Sequence, residues 1–327
     1  IMAEVVKIVL TGGPCGGKTA ALEYISVELK KLNIPTITIS ESASRLLSAG
    51  KTPENMGSYE FHRELFEMQL AEENEKTQLA KEMNCEKAVF HLVNSADGAE
   101  EYYGKETNIF RREDTLEKAR EVDTNVMAVW TGTPHLRVID NSTDFDTKLK
   151  RLLKEVVAFL GIPKPLEIER KFLIEYPDIE FLNSIKTCRR ISITQAYLTT
   201  PDEGYFRIRR RGEGDKAVYI KTVKIKISDI KRIEIENYIS KEQYDSYLAQ
   251  RQYVTGIISK DRYCIVDNNT YYELDVYPFW SDRATIEIEL LSENQPYQLP
   301  SFVKLVREVT SEPNYRNLAL AQKYGKP

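Results

Sequence analysis

A chain of 327 residues is long enough for two domains, each with its own hydrophobic core. Its formal net charge of −4 argues against general nucleic-acid binding, which needs an excess of basic residues. No apolar run approaches the length of a membrane span, and no secretory signal is apparent. The scattered cysteines contain no C-x-x-C pair, so we expect neither a zinc site nor a disulfide framework. These features predict a reduced, cytoplasmic protein.

The first predicted element is a buried strand at residues 5–10, which leads into a glycine-rich loop. Residues 12–19 fit the pattern G-x-x-x-x-G-K-[ST] of the P-loop, and an amphipathic helix is predicted to follow. In this pattern the loop N–H groups wrap a phosphate at the positive end of the helix, Lys18 reaches the β- and γ-phosphates, and Thr19 binds Mg²⁺. The residues predicted to bind GTP or ATP are Gly12, Gly13, Pro14, Cys15, Gly16, Gly17, Lys18 and Thr19.

Three further strands are predicted in this half of the chain, at residues 34–40, 88–93 and 136–140. Together with the P-loop they predict an α/β P-loop domain, a parallel sheet with flanking helices, over residues 1–161. Such a sheet normally has another strand that ends in an Asp, which organises Mg²⁺ and water. Between Lys81 and Ala88 the sequence has no such strand. Either a segment is missing there, or the protein has no Walker B carboxylate.

In the second half of the chain, charged residues alternate with apolar ones at a strand's period of two. Glu167, Glu169 and Lys171 share one face of a predicted strand, and Ile168 and Phe172 share the other. The same alternation recurs at Arg207 and Arg209, Lys221, Glu234 and Glu236, Lys260 and Arg262, Glu273 and Asp275, and Glu287 and Glu289.

A solvated sheet face mixes both signs of charge freely, whereas most of these strands carry one sign in pairs. The whole series therefore favours a closed antiparallel β-barrel with charges inside and an apolar outer face covered by helices or a partner domain. Six bases in such an interior could hold several phosphates, and its eight acids could coexist only if metal ions bridged some of them. The predicted catalytic residues are Glu167, Glu169, Lys171, Arg207, Arg209, Lys221, Lys260 and Arg262. The predicted ligands of Mg²⁺ or Mn²⁺ are Thr19, Glu167, Glu169, Glu234, Glu236, Glu273, Asp275, Glu287 and Glu289.

The motif Glu167-x-Glu169-x-Lys171, with the paired arginines, the lone lysine and the acid pairs after it, resembles the CYTH, or triphosphate tunnel metalloenzyme, superfamily. That family includes thiamine triphosphatases, inorganic triphosphatases and class IV adenylate cyclases. The resemblance covers about residues 165–320. It implies an α+β domain built on a triphosphate tunnel over residues 162–327.

The pairing of a P-loop domain with this second domain is similar to the TRPL translocation defect protein family and its bacterial and protist AAA-family ATPase relatives. That resemblance implies nucleotide binding, with GTP preferred, and binding of a polyphosphate or phosphoinositide head group with peripheral membrane contact. Three functions stay open at this point. They are a nucleotide-regulated binding protein, a metal-dependent inorganic or thiamine triphosphatase, and a class IV-like adenylate cyclase.

Overall fold

The computed structural model describes residues 6–39, 42–80, 87–103, 115–162, 166–228, 231–250, 253–290 and 292–325. The chain separates into two compact units. One comprises Ile1–Val126 and Ile139–Lys154, and the other comprises Met127–Val138 and Glu155–Pro327. The boundary predicted between residues 161 and 162 stays a prediction.

The first half of the chain alternates strands and helices. In chain order the described elements are β1 (Lys7–Thr11), α1 (Lys18–Lys31), α2 (Ser42–Ser48), α3 (Pro53–Met56), α4 (Ser58–Ala80), β2 (Lys87–Leu92), α5 (Leu116–Trp130), β3 (Leu136–Ile139) and α6 (Phe145–Phe159).

The strands of this half form a small sheet in the order β1-β2-β3. β1 and β2 pair in parallel, with Lys7 opposite Lys87 and Thr11 opposite His91. Phe90 and Leu92 of β2 are fully buried, as expected for a strand covered on both faces by helices. The sheet with flanking helices agrees with the predicted α/β class.

The strand predicted at residues 34–40 is not formed, because residues 34–39 have no regular secondary structure. A strand needs a hydrogen-bonded neighbour, and within the described ranges β1 pairs only with β2. The strand that we expected between Lys81 and Ala88 falls largely on residues 81–86, which lie outside the described residues.

The second half of the chain is dominated by long strands. In chain order the described elements are β4 (Leu166–Glu175), α7 (Ile179–Ser184), β5 (Cys188–Thr200), β6 (Gly204–Arg211), β7 (Val218–Lys226), β8 (Lys231–Ile239), α8 (Lys241–Ala249), β9 (Val254–Asp267), β10 (Thr270–Val276), β11 (Arg283–Glu289), β12 (Leu305–Glu308) and α9 (Asn317–Tyr324).

These strands close into a barrel. They are hydrogen-bonded in the order β11-β10-β9-β5-β6-β7-β8-β4-β12, and β11 also pairs with β4. Eight strands therefore form a closed antiparallel ring, and β12 lies outside that ring beside β4. The predicted closed antiparallel barrel is confirmed.

Apolar side chains cover the outside of the ring. Leu274 and Ile286, on neighbouring strands, lie fully buried in a cluster that includes Leu182 of α7. A second cluster packs Phe206 and Ile208 against Tyr244 of α8. At about 25 cal/mol per Å² of buried apolar surface, this covering provides the main stabilisation of a barrel whose interior is charged.

Local signals in the sequence also set the ends of the helices. Ser240 and Gln243 form a capping box at the start of α8, where each side chain accepts from the other's backbone N–H. Among the described residues, no helix has the length and apolar character needed to cross a bilayer.

Candidate functional site

The pleat of the barrel directs charged side chains inward on strand after strand. Across β11 and β4, Glu287 lies opposite Lys171, and across β10 and β9, Asp275 lies opposite Arg262. Since side chains alternate between faces, the apolar residues between these charges point outward into the clusters described above. The interior therefore carries two networks of ion pairs.

The first network, here called the Arg262 network, joins three bases to three acids. Its bases are Lys171, Lys260 and Arg262, and its acids are Glu273, Asp275 and Glu287. Arg262 Nε lies 2.7 Å from Asp275 Oδ1, and its Nη2 lies 3.0 Å from Glu287 Oε2. Lys171 Nζ is 2.7 Å from Glu287 Oε1.

Every charge of the Arg262 network except Glu273 is almost fully shielded from solvent. Isolated buried charges cost several kcal/mol each, so each group depends on its partners. Burial and the neighbouring Arg262 lower the pKa of Lys260 to about 7, although Asp275 opposes the shift. A positive charge added near Lys260 would therefore be unfavourable, and an anion would be favourable.

The second network, here called the Arg207 network, joins four bases to four acids. Its bases are Arg207, Arg209, Lys224 and Arg232, and its acids are Glu167, Glu169, Glu234 and Glu236. Arg209 Nη2 is 2.8 Å from Glu236 Oε1, and Lys224 Nζ is 2.7 Å from Glu234 Oε2.

Two of the arginines on β6, Arg207 and Arg209, are only partly satisfied by these contacts. Arg207 Nε and Arg209 Nε are buried and donate no hydrogen bond to any described residue. Burial, together with the charges of Arg207 and Arg211, lowers the pKa of Arg209 to about 10 despite the attraction of Glu236. The centre of the barrel thus contains buried N–H donors that can take a further acceptor.

The acids of the Arg207 network include a crowded pair. Burial and the adjacent charge of Glu234 raise the pKa of Glu167 well above its ordinary value, although Lys224 opposes the shift. Two carboxylates in contact favour a shared proton or a shared cation. Carboxylate oxygens are the ligands that Mg²⁺ and Mn²⁺ prefer, so this pair fits such an ion in donor type. Within the described ranges, however, no three acidic, His or Cys side chains are already grouped as a metal site.

Most of the predicted barrel residues line the interior, but the predicted placement of Lys221 is wrong. Lys221 lies opposite Ile208 on the outer face of the barrel. Its Nζ is 2.7 Å from Glu203 Oε2 and 4.4 Å from the centre of the Phe206 ring. The interior lysine is Lys224, three residues further along β7 and therefore on the opposite face from Lys221.

Several interior residues were missed, namely Arg211, Lys224 and Arg232. A signal for Lys224 was available, because Lys224 and Lys226 alternate with Val223 and Ile225. Glu289 lies at the edge of the interior and pairs with Arg137 at 2.6 Å, outside both networks.

The predicted P-loop lies between β1 and α1, and at three of its positions the structure favours glycine over any larger residue. A Cβ at Gly12 would approach the carbonyl oxygen of Leu92 to 2.1 Å, and one at Gly16 would approach the same atom to 2.8 Å. Gly17 has φ of 80° at the start of α1, a conformation that favours glycine. The loop is therefore pressed against the end of β2.

Two side chains hold this loop. Lys18 Nζ reaches back to the carbonyl oxygens of Gly12 and Gly13, both at 3.0 Å. The carboxylate of Asp123 accepts from the Gly13 N–H and also contacts His91 Nε2 at 3.2 Å. Thr19, the predicted Mg²⁺ ligand of the loop, is exposed at the start of α1. Phosphate binding by the loop stays a prediction.

Beside the loop, a buried lysine ties the ends of β2 and β3 together. Lys148 Nζ donates to the carbonyl oxygen of Val93 at 2.7 Å and to Asn141 Oδ1 at 2.6 Å. Its side chain is 2% exposed. Burial lowers the pKa of Lys148 to about 8, because the attraction of Asp123 and Asp140 does not compensate for lost hydration.

Comparison with known proteins bears on the barrel half of the chain. Residues 165–323 match the family model of the CYTH domain. An inorganic triphosphatase of known structure is 30% identical, the match covering 49% of this chain and 97% of that one, with a TM-score of 0.33. A conserved hypothetical protein from Pyrococcus furiosus is 23% identical over 37% of this chain and 78% of its own, with a TM-score of 0.29.

A protein from Hippeastrum, described as a proposed adenylyl cyclase with a dominant triphosphatase activity, is also similar. It is 15% identical, the match covers 38% of this chain and 80% of that one, and the TM-score is 0.28. Comparison with curated proteins finds no match.

The depressed pKa of Lys148 predicts a pH dependence of stability. The folded state binds fewer protons than the unfolded state between pH 8 and the ordinary lysine value of 10.5, so the contribution of Lys148 to stability rises with pH in that window. Below the window it is constant. Lys148→Met should remove up to about 1.4 kcal/mol per pH unit from the slope of unfolding free energy. Urea unfolding of both proteins across the window measures this slope.

Lys150→Met is the matched control, since Lys150 is an exposed lysine on the same helix. Its slope should equal that of the wild type. Identical slopes for Lys148→Met and the wild type would contradict the account.

Proposed function

The chain belongs to the CYTH domain family through residues 165–323, and we propose that its barrel binds the triphosphate group of a linear polyphosphate or nucleoside triphosphate together with a divalent metal ion and hydrolyses it. The relative that is 30% identical is described as an inorganic triphosphatase, which favours this reaction over cyclisation.

One observation carries the proposal. Arg207 Nε and Arg209 Nε are buried N–H donors without an acceptor inside a closed barrel. Leaving such a donor unsatisfied costs about 1–3 kcal/mol, and more for a charged group. Phosphate oxygens are strong acceptors for guanidinium groups, so a bound phosphate chain would satisfy both donors at once.

The charge balance of the interior supports a metal requirement. The Arg207 network has four bases and four acids, and the Arg262 network has three of each, so neither has excess positive charge. A polyphosphate without counterions would place its negative charges against these carboxylates. The anion is therefore expected to enter with cations that offset them.

The residues that would hold the metal are Glu167, Glu169 and Glu234, the acids of the crowded part of the Arg207 network. When bound, a Mg²⁺ or Mn²⁺ ion would supply positive charge against the phosphate oxygens and the carboxylates. Glu236, Glu273, Asp275 and Glu287 also lie against arginine or lysine side chains, and we assign no metal ion to them.

The protein's own groups would act on the phosphates by position and charge. Arg207 and Arg209 would bind the oxygens of one phosphate with forked N–H groups, and Lys224 would bind the next as a point charge. In hydrolysis a water oxygen would bond to the terminal phosphorus while the bond from that phosphorus to its bridging oxygen breaks, releasing orthophosphate and the shortened chain. The negative charge that develops on the bridging oxygen would be stabilised by fixed cations in an interior with little water.

An inositol phosphate head group offers the same phosphate chemistry, as the resemblance to the TRPL family implies. Its ring is wider than a linear chain, and the groups that would receive the phosphates, Arg207, Arg209 and Lys224, lie inside the closed ring. We therefore favour linear phosphates, and a phosphoinositide head group is the alternative outcome of the binding experiment below. A membrane or trafficking role depends on that alternative.

For the first half of the chain we propose GTP or ATP binding by residues 12–19. The sequence motif supports this proposal. So does the close contact of Gly12 and Gly16 with the end of β2, which leaves no room for a side chain at either position. Lys18 Nζ also lies over the loop, where it donates to two of its carbonyl oxygens. Bound phosphate would take Lys18 from these carbonyls.

Lys224→Ala and Arg209→Ala should weaken tripolyphosphate binding in the presence of Mg²⁺. Each removes charge-assisted contacts worth about 1.5–3 kcal/mol, which corresponds to roughly 10- to 150-fold in affinity. Isothermal titration calorimetry measures the effect, with an inositol polyphosphate as a second titrant. Lys221→Ala is the matched control from the outer face of the same strand, and its affinity should stay near that of the wild type. Equal losses in Lys221→Ala and Lys224→Ala would rule out the assigned interior.

GTP or ATP should protect Cys15 from alkylation by N-ethylmaleimide, because Cys15 lies half-buried within the loop that would wrap the phosphates. Peptide mass spectrometry follows the modification in a Cys85→Ser background. Lys18→Ala should abolish the protection and leave tripolyphosphate binding by the barrel unchanged. Protection that is as strong in Lys18→Ala as in the wild type would mean that the nucleotide does not use the loop.

A further inference from the structure

The segment that follows α5, residues 131–137, contacts the charged interior of the barrel and belongs to the same compact unit as the barrel. The carbonyl oxygen of Gly132 accepts from Arg211 Nη2 at 2.7 Å. His135 Nε2 lies 3.5 Å from Glu236 Oε2, and Arg137 Nη2 lies 2.6 Å from Glu289 Oε1. This segment precedes residues 165–323, so it lies outside the family match.

These contacts span the barrel from side to side. Arg211 is on β6 and Glu289 is on β11, and the ring has three strands between β6 and β11 in each direction. The two strands are therefore opposite one another. Each step around the ring is antiparallel, so β6 and β11, four steps apart, run in the same direction.

The contacts also lie at a single end of the barrel. Arg211 is the last residue of β6, and Glu289 is the last residue of β11. From residue 132 to residue 137 an extended chain spans at most about 17 Å, and the long side chains of Arg211 and Arg137 supply further reach. The segment thus crosses one mouth of the barrel.

The segment is seated closely on that mouth. Gly132 has φ of 95°, and a Cβ there would approach Arg189 Cβ to 3.1 Å and Ile191 Cδ1 to 3.3 Å. The His135 ring lies 5.2 Å from that of Phe159, and Arg137 Nε lies 3.6 Å from Glu155. Both faces of the segment are therefore in contact, one with the barrel and the other with the end of α6.

We propose that residues 131–137, here called the plug segment, close one mouth of the barrel and make the tunnel blind. Linear polyphosphates and organic triphosphates then enter only from the opposite end, beside α9, whose Leu320 packs against Ile258, with a terminal phosphate leading. His135 acts as a positioning residue that holds Glu236 against Arg209. The proposal rests on the proposed function for its ligand, while the closure itself is a property of the protein alone.

A native cysteine reports on the closure. Cys264 points into the barrel with no exposed surface, and its Sγ lies 3.4 Å from Arg211 Nη2, the same atom that the Gly132 carbonyl oxygen holds. Moving the plug segment releases Arg211 and uncovers Cys264. Cys188, which faces the outer core and whose pKa burial raises to about 12, reports on general loosening.

The experiment is alkylation of the native 327-residue protein with N-ethylmaleimide, each cysteine being followed by peptide mass spectrometry. Two independent variants displace the plug segment, Gly132→Ala and the double variant His135→Ala with Arg137→Ala. In the wild type Cys264 should react as slowly as Cys188. In both variants Cys264 should react roughly tenfold faster or more, because local opening replaces wider unfolding as its route to solvent. Cys188 should not change.

Arg283→Ala is the matched control, since Arg283 begins β11 and pairs with exposed Asp282 at the end of the strand away from Glu289. It should leave Cys264 protected. Three results would each contradict the proposed closure. Cys264 could react rapidly in the wild type, Cys264 could react at the wild-type rate in both variants, or Cys188 could become as reactive as Cys264 in both variants. Tripolyphosphate titration of the same proteins is a separate test. If the wild type does not bind tripolyphosphate, the proposed function is contradicted. The alkylation rates still decide whether the plug segment closes the mouth.

Discussion

Burying many charges inside a closed barrel is the constraint on which the rest of the structure depends. Charges that leave water must be paired, and breaking one such pair typically costs 3–5 kcal/mol. Here each base of the two networks lies against a carboxylate, as Arg262 does against Asp275 and Lys224 against Glu234. Because the charged part of the interior contributes no hydrophobic core, the apolar residues on the outside, such as Leu274 and Phe206, must pack under helices and loops.

The same constraint explains why the interior suits a highly charged ligand. An apolar cavity would strip the hydration shell from a polyphosphate and return nothing for it. In an interior of fixed, paired charges, ligand contacts can replace the internal ion pairs. The carboxylates would then bind the metal ions, and the guanidinium groups would bind phosphate oxygens. The unpaired Nε groups of Arg207 and Arg209 mark where this exchange is already favoured.

The sequence was sufficient for the barrel because its pattern is local and repeated. Strand alternation assigns a face to every residue, and single-sign pairs on one face distinguish an enclosed interior from a solvated surface. It was insufficient for Lys221, since β7 carries lysines on both faces and only the pairing of β7 with β6 decides which face is inside. The prediction of a strand at residues 34–40 was wrong for a related reason. A strand-like composition cannot show whether a neighbouring strand is available for pairing.

Contacts made over long sequence distances were beyond prediction. Nothing in the local pattern of residues 131–137 connects Gly132 to Arg211 or Arg137 to Glu289, since each pair is separated by many residues and meets only through the closure of the ring. The same holds for Asp123, whose contact with the Gly13 N–H depends on how α5 packs against the loop. Such contacts follow from tertiary structure rather than from the period of any one element.

The most direct test of phosphate binding by the barrel is a crystal structure of the protein grown with tripolyphosphate and Mn²⁺. The account predicts a phosphate chain inside the ring, with its oxygens within hydrogen-bond distance of Arg207 Nε and Arg209 Nε, and anomalous density for Mn²⁺ beside Glu167 and Glu234. A phosphate chain bound outside the ring, with both Nε groups still unpaired, would contradict it.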